Sequence, residues 1–353
     1  MIIVLGLGQM GSCATLALSK LGNLVTAIDS DKNKVDLYQE KFDKSWELGE
    51  HPKINCFLKD ETNFGFCKKT GIDCVLSCLP YHQNIEVAKF CIENHIPYCD
   101  LGGDPPVEAE IKALAQKAEA PVFLSLGLAP GLVNIITEHL ISKHGVPDEV
   151  YMYVGGLPQH LFRGTYQRTW SIEGLYNEYA KDCQILKGGQ IEIVAGMDSY
   201  ENLDSTYESF LTSGGISHSL ESFKNRGVKN AEYRTIRYKG HHSQILPLIS
   251  NLSKEECLNV FEKIFPQTKE DFVKMRIELF YWDSGTVKVE YNHVWYSDPE
   301  FTALARTTAY PAAAIVHMVA QGNFNHIEQK ILDYSMIEFS SFSTNLTRLG
   351  LLP

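Results

Sequence analysis

Three glycines and one carboxylate near the start of the chain form the clearest chemical signature. Gly6-Leu7-Gly8-Gln9-Met10-Gly11 follows the run Met1-Ile2-Ile3-Val4-Leu5 and precedes an apolar helical face of Ala14, Leu16, Ala17, Leu18 and Leu21. Strand, tight turn and helix N-terminus in that order make a cradle for a pyrophosphate. Gly6 permits the turn, Gly8 removes a Cβ that would block the phosphates, and Gly11 allows close packing of helix on strand. The segment Leu24-Val25-Thr26-Ala27-Ile28 then ends on Asp29, about 20 residues on, where an acid can hold a ribose. Gln9 and Met10 lie inside the cradle. A carboxylate at 29 accepts both ribose hydroxyls and repels a 2′-phosphate, and Ser30-Asp31-Lys32 brings no arginine behind it. The expected cofactor is NAD, with NADP less favoured.

Hydride chemistry needs the ring end of that cofactor at the carboxyl ends of the parallel strands. Two further turns belong there: Leu79-Pro80-Tyr81-His82, beside the nicotinamide ribose, and Asp100-Leu101-Gly102-Gly103-Asp104, beside the ring. Asp100, between Cys99 and Leu101, is expected to be desolvated and raised in pKa, a candidate proton carrier. Its alternative is a loop anchor bonded to the N–H groups of Gly102 and Gly103. Tyr81 either hydrogen-bonds an amine or ribose or packs on the following helix.

The elements that carry these residues alternate strand and helix. Strands are expected near 54–58, 72–79, 97–101 and 121–124, and helices over 32–42, 84–93, 107–118 and 132–142. The continuous apolar run Ile72 to Leu79 suits a strand buried on both faces. A doubly wound parallel sheet to about residue 125 follows. After Gly145 come a strand ending in Gly155-Gly156-Leu157-Pro158 and hairpin signals at Lys187-Gly188-Gly189 and Asp283-Ser284-Gly285. Helices are expected over 203–212, 243–249 and 254–264. The second domain thus reads as α+β with a mostly antiparallel sheet over about 126–299. The helix 307–320 is expected to return the chain to the first domain, giving that domain residues 1–125 plus about 300–353.

Composition narrows the class. At 353 residues two domains are the default. A formal charge of −11 without a basic stripe argues against a nucleic-acid partner. No run of about 20 apolar residues suggests a membrane span. The apolar start lacks a basic n-region and is broken at once by glycines, unlike a secretion signal. Nine cysteines, none in C-x-x-C spacing, read as reduced cytoplasmic thiols rather than a disulfide frame or metal site.

Several stretches together resemble the saccharopine dehydrogenase-like family, most closely its lysine 6-dehydrogenase branch. They are Gly6 to Gly11, Cys78-Leu79-Pro80-Tyr81, Asp100-Leu101-Gly102-Gly103, Gly127-Leu128-Ala129-Pro130-Gly131, Gly155-Gly156-Leu157-Pro158 and Arg237-Tyr238-Lys239-Gly240-His241. The similarity runs to about residue 320. It implies a Rossmann domain, a substrate domain that often carries a homodimer interface, and NAD(P)-dependent oxidation at the amine-bearing carbon of an amino acid. Lys112 stands roughly where saccharopine reductases carry an acid–base carboxylate. The substrate's carboxylate calls for an arginine. Arg237 leads, within the family-like element; Arg163 follows, a short loop beyond Gly155 and Gly156. His241 or His242 would be the base with pKa near 7, and Asp100 the alternative. Oxidative deamination of lysine at its terminal carbon is the first expectation. Imine reduction of the saccharopine or carboxynorspermidine type is the second, and an NAD-binding sensor without turnover the third. A polyol dehydrogenase fits less well, because Cys78-Leu79-Pro80 replaces its Glu-Lys-Pro.

Overall fold

The computed structural model describes residues 1–49, 51–59, 71–102, 104–161, 164, 166–282, 287–328 and 330–353. It divides into two compact units, Met1–Leu132 with Ala305–Pro353, and Val133–Leu304. The divisions fall a few residues beyond the 125/126 and 299/300 boundaries read from the sequence.

The first unit begins with β1 (Ile2–Leu5), α1 (Gln9–Lys20), β2 (Val25–Asp29), α2 (Lys32–Glu47), β3 (Asn55–Leu58), β4 (Cys74–Ser77), α3 (Asn84–Glu93), β5 (Tyr98–Asp100), α4 (Pro105–Ala115) and β6 (Val122–Phe123). α5 (Leu132–His144) carries the chain into the second unit. Helix starts follow side-chain chemistry. Asp31 caps α2 by accepting from the Asn33 N–H, and Asp104 caps α4, whose first turn holds Pro105 and Pro106. Those prolines, with φ already helical, start α4 two residues before the expected Val107.

The second unit contains β7 (Glu149–Pro158), α6 (Ile172–Ala180), β8 (Cys183–Lys187), β9 (Gln190–Val194), β10 (Glu201–Asn202), β11 (Tyr207–Leu211), α7 (Ser219–Arg226), β12 (Asn230–Tyr238), α8 (His241–Asn251), α9 (Lys254–Ile264), β13 (Asp271–Tyr281) and β14 (Val287–Tyr296). Helix α10 (Ala303–Ala320) returns the chain to the first unit, where β15 (Ile331–Leu332) and α11 (Phe339–Arg348) complete it.

The first sheet has the order β15-β6-β5-β4-β1-β2-β3, and every pair is parallel. Such a sheet is covered on both faces, which is why β1, β2, β4 and β5 are buried at every position. Ile3, Leu5, Val75, Val87, Ile111 and Val122 share one of its core clusters. The far edge is closed by β15, whose Ile331 and Leu332 pair with Val122 and Phe123. Tyr334, beside it, donates from its hydroxyl to the Ser125 carbonyl at 2.8 Å.

The second sheet runs β10-β11-β12-β7-β13-β14, with β8 pairing to β12 and β9. All its pairs are antiparallel except β7 with β12. Gly188 and Gly189 both have positive φ, the backbone a two-residue hairpin turn demands. The turn residues Asp283, Ser284 and Gly285 of the second hairpin lie outside the described residues. The helix expected over 203–212 is corrected: Tyr207–Leu211 is a strand, pairing Tyr207 with Tyr238 and burying Phe210. Pairing with β12 along all five residues outweighed a weak helical reading. The helices pack a second core of Tyr166, Leu175, Tyr179, Phe210, Ile245, Phe261 and Phe265.

Candidate active site

The glycine turn has a different physical reason at each position. Gly6 has φ +94°, and a Cβ there would stand 3.0 Å from the Cys78 carbonyl oxygen. A Cβ on Gly11 would stand 1.8 Å from the Gly6 carbonyl oxygen, so the helix approaches the turn as closely as only glycine allows. A Cβ on Gly8 would meet nothing within 4 Å. The space in front of Gly8 is open, and Gly8, the N-cap of α1, makes no side-chain cap bond. An uncapped helix N-terminus facing open space suits an anion. Gln9 and Met10 are partly exposed at this helix start.

Asp29 closes the other side. One oxygen accepts from the Leu7 N–H at 2.7 Å and the other from the Asp31 N–H at 2.8 Å. Each carboxylate oxygen has a second lone pair, so a diol can still be held. Asp29 lines a cleft with Leu5, Ile28, Lys59, Leu79, Gln83 and Val87. Leu5, Ile28, Leu79 and Val87 give it apolar surface for an adenine, and Asp29, held by two amides, is one of its two acids, Glu86 being the other. Lys59 brings a positive charge to the same cleft. The residues present therefore fit a nicotinamide dinucleotide.

At the end of β4, the buried Ser77 hydroxyl donates to the Asn84 side chain at 2.7 Å. This pair ties the strand to α3 and fixes the intervening turn. In that turn Pro80 is exposed, and Tyr81 is half-buried in a single 3₁₀ turn with its ring edge-on to His82. Burial and the nearby Asp100 charge push the Cys78 thiol up to about 12, so it stays protonated.

Asp100 ends β5 and is 2% exposed. One oxygen accepts from the Gly102 N–H at 2.9 Å and the Ser125 N–H at 2.8 Å, and the other from the Tyr98 hydroxyl at 3.0 Å. Desolvation raises its pKa to about 6; the Ser125 and Tyr98 bonds pull down, and the Glu108 charge adds to the rise. Asp100 thus anchors the Gly102 turn, and burial holds its carboxyl well above the usual carboxylate range. Gly103 lies outside the described residues.

In the second unit, Gly155 and Gly156 are residues of β7. A Cβ on Gly155 would meet the Ile236 carbonyl oxygen at 2.7 Å, so this glycine serves contact between β7 and β12. Arg163 lies outside the described residues. Arg237 is 3% exposed. Its Nη2 donates to both Glu178 oxygens at 3.2 and 3.1 Å, its Nε to the Tyr179 hydroxyl at 2.7 Å and its Nη1 to the Ile236 carbonyl at 2.9 Å. The Tyr166 and Tyr179 rings flank it at 4.9 and 5.4 Å. Arg237 is thus the buried counter-ion of Glu178.

His241 is fully buried, with Nε2 at 3.0 Å from the Tyr179 hydroxyl and rings of Tyr166, Phe210 and Phe265 around it. Burial, then the Arg237 charge, pushes its pKa well below the usual histidine range. It is a neutral imidazole at pH 7, and the expected base with pKa near 7 is corrected in that respect. His242 is held by its Nε2 at 2.7 Å from the Met197 carbonyl. Sequence reasoning missed the Glu178–Tyr179 partners, because nothing local marks which acid a buried arginine will meet. Among the described residues no three metal-ligating side chains cluster, and no helix is long and apolar enough to cross a membrane.

An all-parallel sheet entered through a glycine turn, with an acid at the end of β2, defines a dinucleotide-binding Rossmann unit; here it is joined to a mixed-sheet α+β unit. The chain belongs to the saccharopine dehydrogenase family: residues 2–124 match its NADP-binding domain and residues 127–337 its C-terminal domain. It is 25% identical over 297 residues to the mitochondrial alpha-aminoadipic semialdehyde synthase of Rattus norvegicus and 26% identical over 296 residues to that of Mus musculus. Each alignment covers 78% of this chain but only 29% of the relative, so the chain spans under a third of their length. The fold is shared with saccharopine dehydrogenase (L-Glu forming) of Saccharomyces cerevisiae, at TM-score 0.72 and 16% identity over 98% of this chain and 96% of that one. It is also shared with a homospermidine synthase of Legionella pneumophila in complex with NAD, at TM-score 0.67 and 13% identity over 98% and 89%.

Four substitutions have expected outcomes. Gly8→Ala keeps the melting temperature while weakening NAD binding by calorimetry about tenfold or more, ~1.4 kcal/mol; Gly11→Ala destabilises the protein outright. Arg237→Ala lowers stability by on the order of 3 kcal/mol, since it strands Glu178, and denaturant melts would show it. For Asp100 the folded pKa of about 6 exceeds the ordinary 3.8, so the folded state binds the extra proton between those values. The carboxylate therefore costs stability as pH rises through that window. Asp100→Asn, able to accept both N–H groups and donate to Tyr98, removes the cost; its stability relative to wild type rises across that interval.

Proposed function

We propose that the chain is an NAD(P)-dependent oxidoreductase acting at the amine-bearing carbon of an amino acid, with oxidative deamination of lysine at its terminal carbon as the first substrate. The observation that carries the reading is Asp100, a carboxyl group titrating near neutrality at the carboxyl end of a Rossmann strand. Bound to the first unit, nicotinamide would supply hydride acceptance. The chain supplies the rest. Gly8 and the start of α1 hold the pyrophosphate, Asp29 holds the adenosine ribose, and Leu79-Pro80 flank the second ribose. Asp100 takes the proton released from the substrate nitrogen. Tyr81 stands in the neighbouring turn as the hydroxyl for the amine or ribose.

Asp29 supports NAD over NADP by repelling a 2′-phosphate. Lys59 in the same cleft offsets part of that repulsion. For the substrate's carboxylate, Arg237 serves only by exchanging Glu178 for it, and Arg163, a short way along the sequence from Gly155-Gly156-Leu157-Pro158, is the second candidate. A homodimer through the second unit, in the cytoplasm, completes the reading by family resemblance.

The second reading is the reverse direction, reduction of an imine formed from an amine and a keto acid. The shared fold of the yeast saccharopine dehydrogenase (L-Glu forming) and the Legionella homospermidine synthase favours it. Incubation with NAD or NADP and each amino acid, following reduced-nucleotide absorbance, tests the first reading. NADH formation from lysine is expected. Silence on every amine, with consumption of NADH once a keto acid and an amine are supplied, transfers the assignment to the second. A preference for NADP of about tenfold, ~1.4 kcal/mol, overturns the Asp29 argument.

A further inference from the structure

Ser125 is a serine in the left-handed backbone region, with φ +62°. A non-glycine residue there carries strain and persists only when its surroundings hold it. Three bonds hold this one. Its N–H donates to Asp100 at 2.8 Å, its carbonyl accepts from the Tyr334 hydroxyl at 2.8 Å, and its own hydroxyl donates to Glu108 Oε2 at 3.0 Å. It is 1% exposed. Gly102, on the other side of Asp100, must be glycine because a Cβ there would stand 2.5 Å from Ser125 Oγ. Glu108 in turn accepts the Lys112 ammonium at 2.7 Å one helical turn along α4. Asp100, Ser125, Glu108 and Lys112 thus form one polar chain running from the end of β5 to the surface of α4. The side chains of Glu108 and Lys112 are 13% and 32% exposed, so the outer end of the chain meets solvent.

We propose that Glu108 is the positioning residue for Asp100: it holds Ser125, and through Ser125 the Asp100 carboxyl, while its charge, balanced by Lys112, governs when Asp100 carries a proton. This rests on Asp100 being the proton-handling group proposed above. Titratable groups face Asp100 from several parts of the unit. Tyr98 and Cys99 come from its own strand, Cys78 from the turn after β4, and Glu108 from α4. Burial holds Tyr98, Cys78 and Cys99 protonated near neutral pH. Glu108 is therefore the one of these groups whose charge reaches Asp100 in the working range. A like charge nearby disfavours a second carboxylate. Lys112 screens it, and the pair sits partly in solvent, so the effect is adjustable.

The opposite signs of two substitutions make the test. Glu108→Gln keeps an oxygen for the Ser125 hydroxyl but removes the charge, so Asp100 releases its proton more readily. Lys112→Met leaves Glu108 without its cation, so Asp100 holds its proton more tightly. Protein labelled with carboxyl-¹³C aspartate is titrated by NMR without substrate or nucleotide, the Asp100 resonance being identified by its loss in Asp100→Asn. The expected result is a proton dissociation constant raised about threefold in Glu108→Gln and lowered in Lys112→Met, the size of a partly screened neighbour charge. Titration at the wild-type pH in both variants, or movement in the same direction in both, overturns the proposal. A merely structural role would change melting temperature in both variants without splitting the titrations. Since the readout needs no turnover, a chain inactive on every amine leaves this result standing. Turnover of lysine with unmoved titrations removes Glu108 and leaves the proposed function in place.

Discussion

The Leu7 amide bonded to Asp29 is the contact on which the nucleotide half depends. It spans 22 residues of sequence and joins the turn after β1 to the last residue of β2. With it, a glycine-rich segment that has several backbone options is pinned at its middle. The same carboxylate is oriented for a ribose and restrained by the Asp31 amide. Gly11 then sets how near α1 comes, because its Cα faces the Gly6 carbonyl. One hydrogen bond and one missing methyl group together place the phosphate-facing helix end.

Much of the first unit was legible because parallel strands leave a strong trace. Cys74 to Ser77 is buried at every position, so its sequence is a continuous apolar run with no alternation to misread. The second unit was harder. β12 alternates buried residues with Glu232 and Arg234, which pair with each other at 2.7 Å, and a strand whose charges are satisfied by neighbours looks like a surface segment. Strand β11 was misread as helix for a related reason: its partner β12 decides its conformation, and that partner was not recognised. β15, two residues long, has no local signal; it is a strand because β6 offers an edge.

For the site, the legible part is what backbone chemistry demands of a residue type. Gly6 and Gly11 could be given roles because the turn and the close approach of α1 admit only glycine, Gly8 because a phosphate needs the space a side chain would fill, and Asp29 because an acid grips a diol. Asp100 could be read from its place between two apolar neighbours. Arg237 and His241 were legible as unusual residues, but their protonation and pairing depend on Glu178, Tyr179 and a wall of aromatic rings contributed by α6, β11 and the segment after α9. Glu108 and Ser125 carried no trace at all. A glutamate in a helix's first turn reads as a dipole partner, and a serine after a strand reads as a loop residue.

The pairing of β15 with β6 has a consequence for biosynthesis. The second unit is one unbroken stretch, whereas the sheet of the first stays open at β6 until residues around Tyr334 arrive, 209 positions after Ser125. At ~5–20 residues per second a ribosome needs roughly 10–40 s to cover that distance. The contiguous unit therefore has everything it needs to fold while the nucleotide-binding sheet still exposes an unpaired strand, and that raw edge is where a chaperone would be expected to sit on the nascent chain.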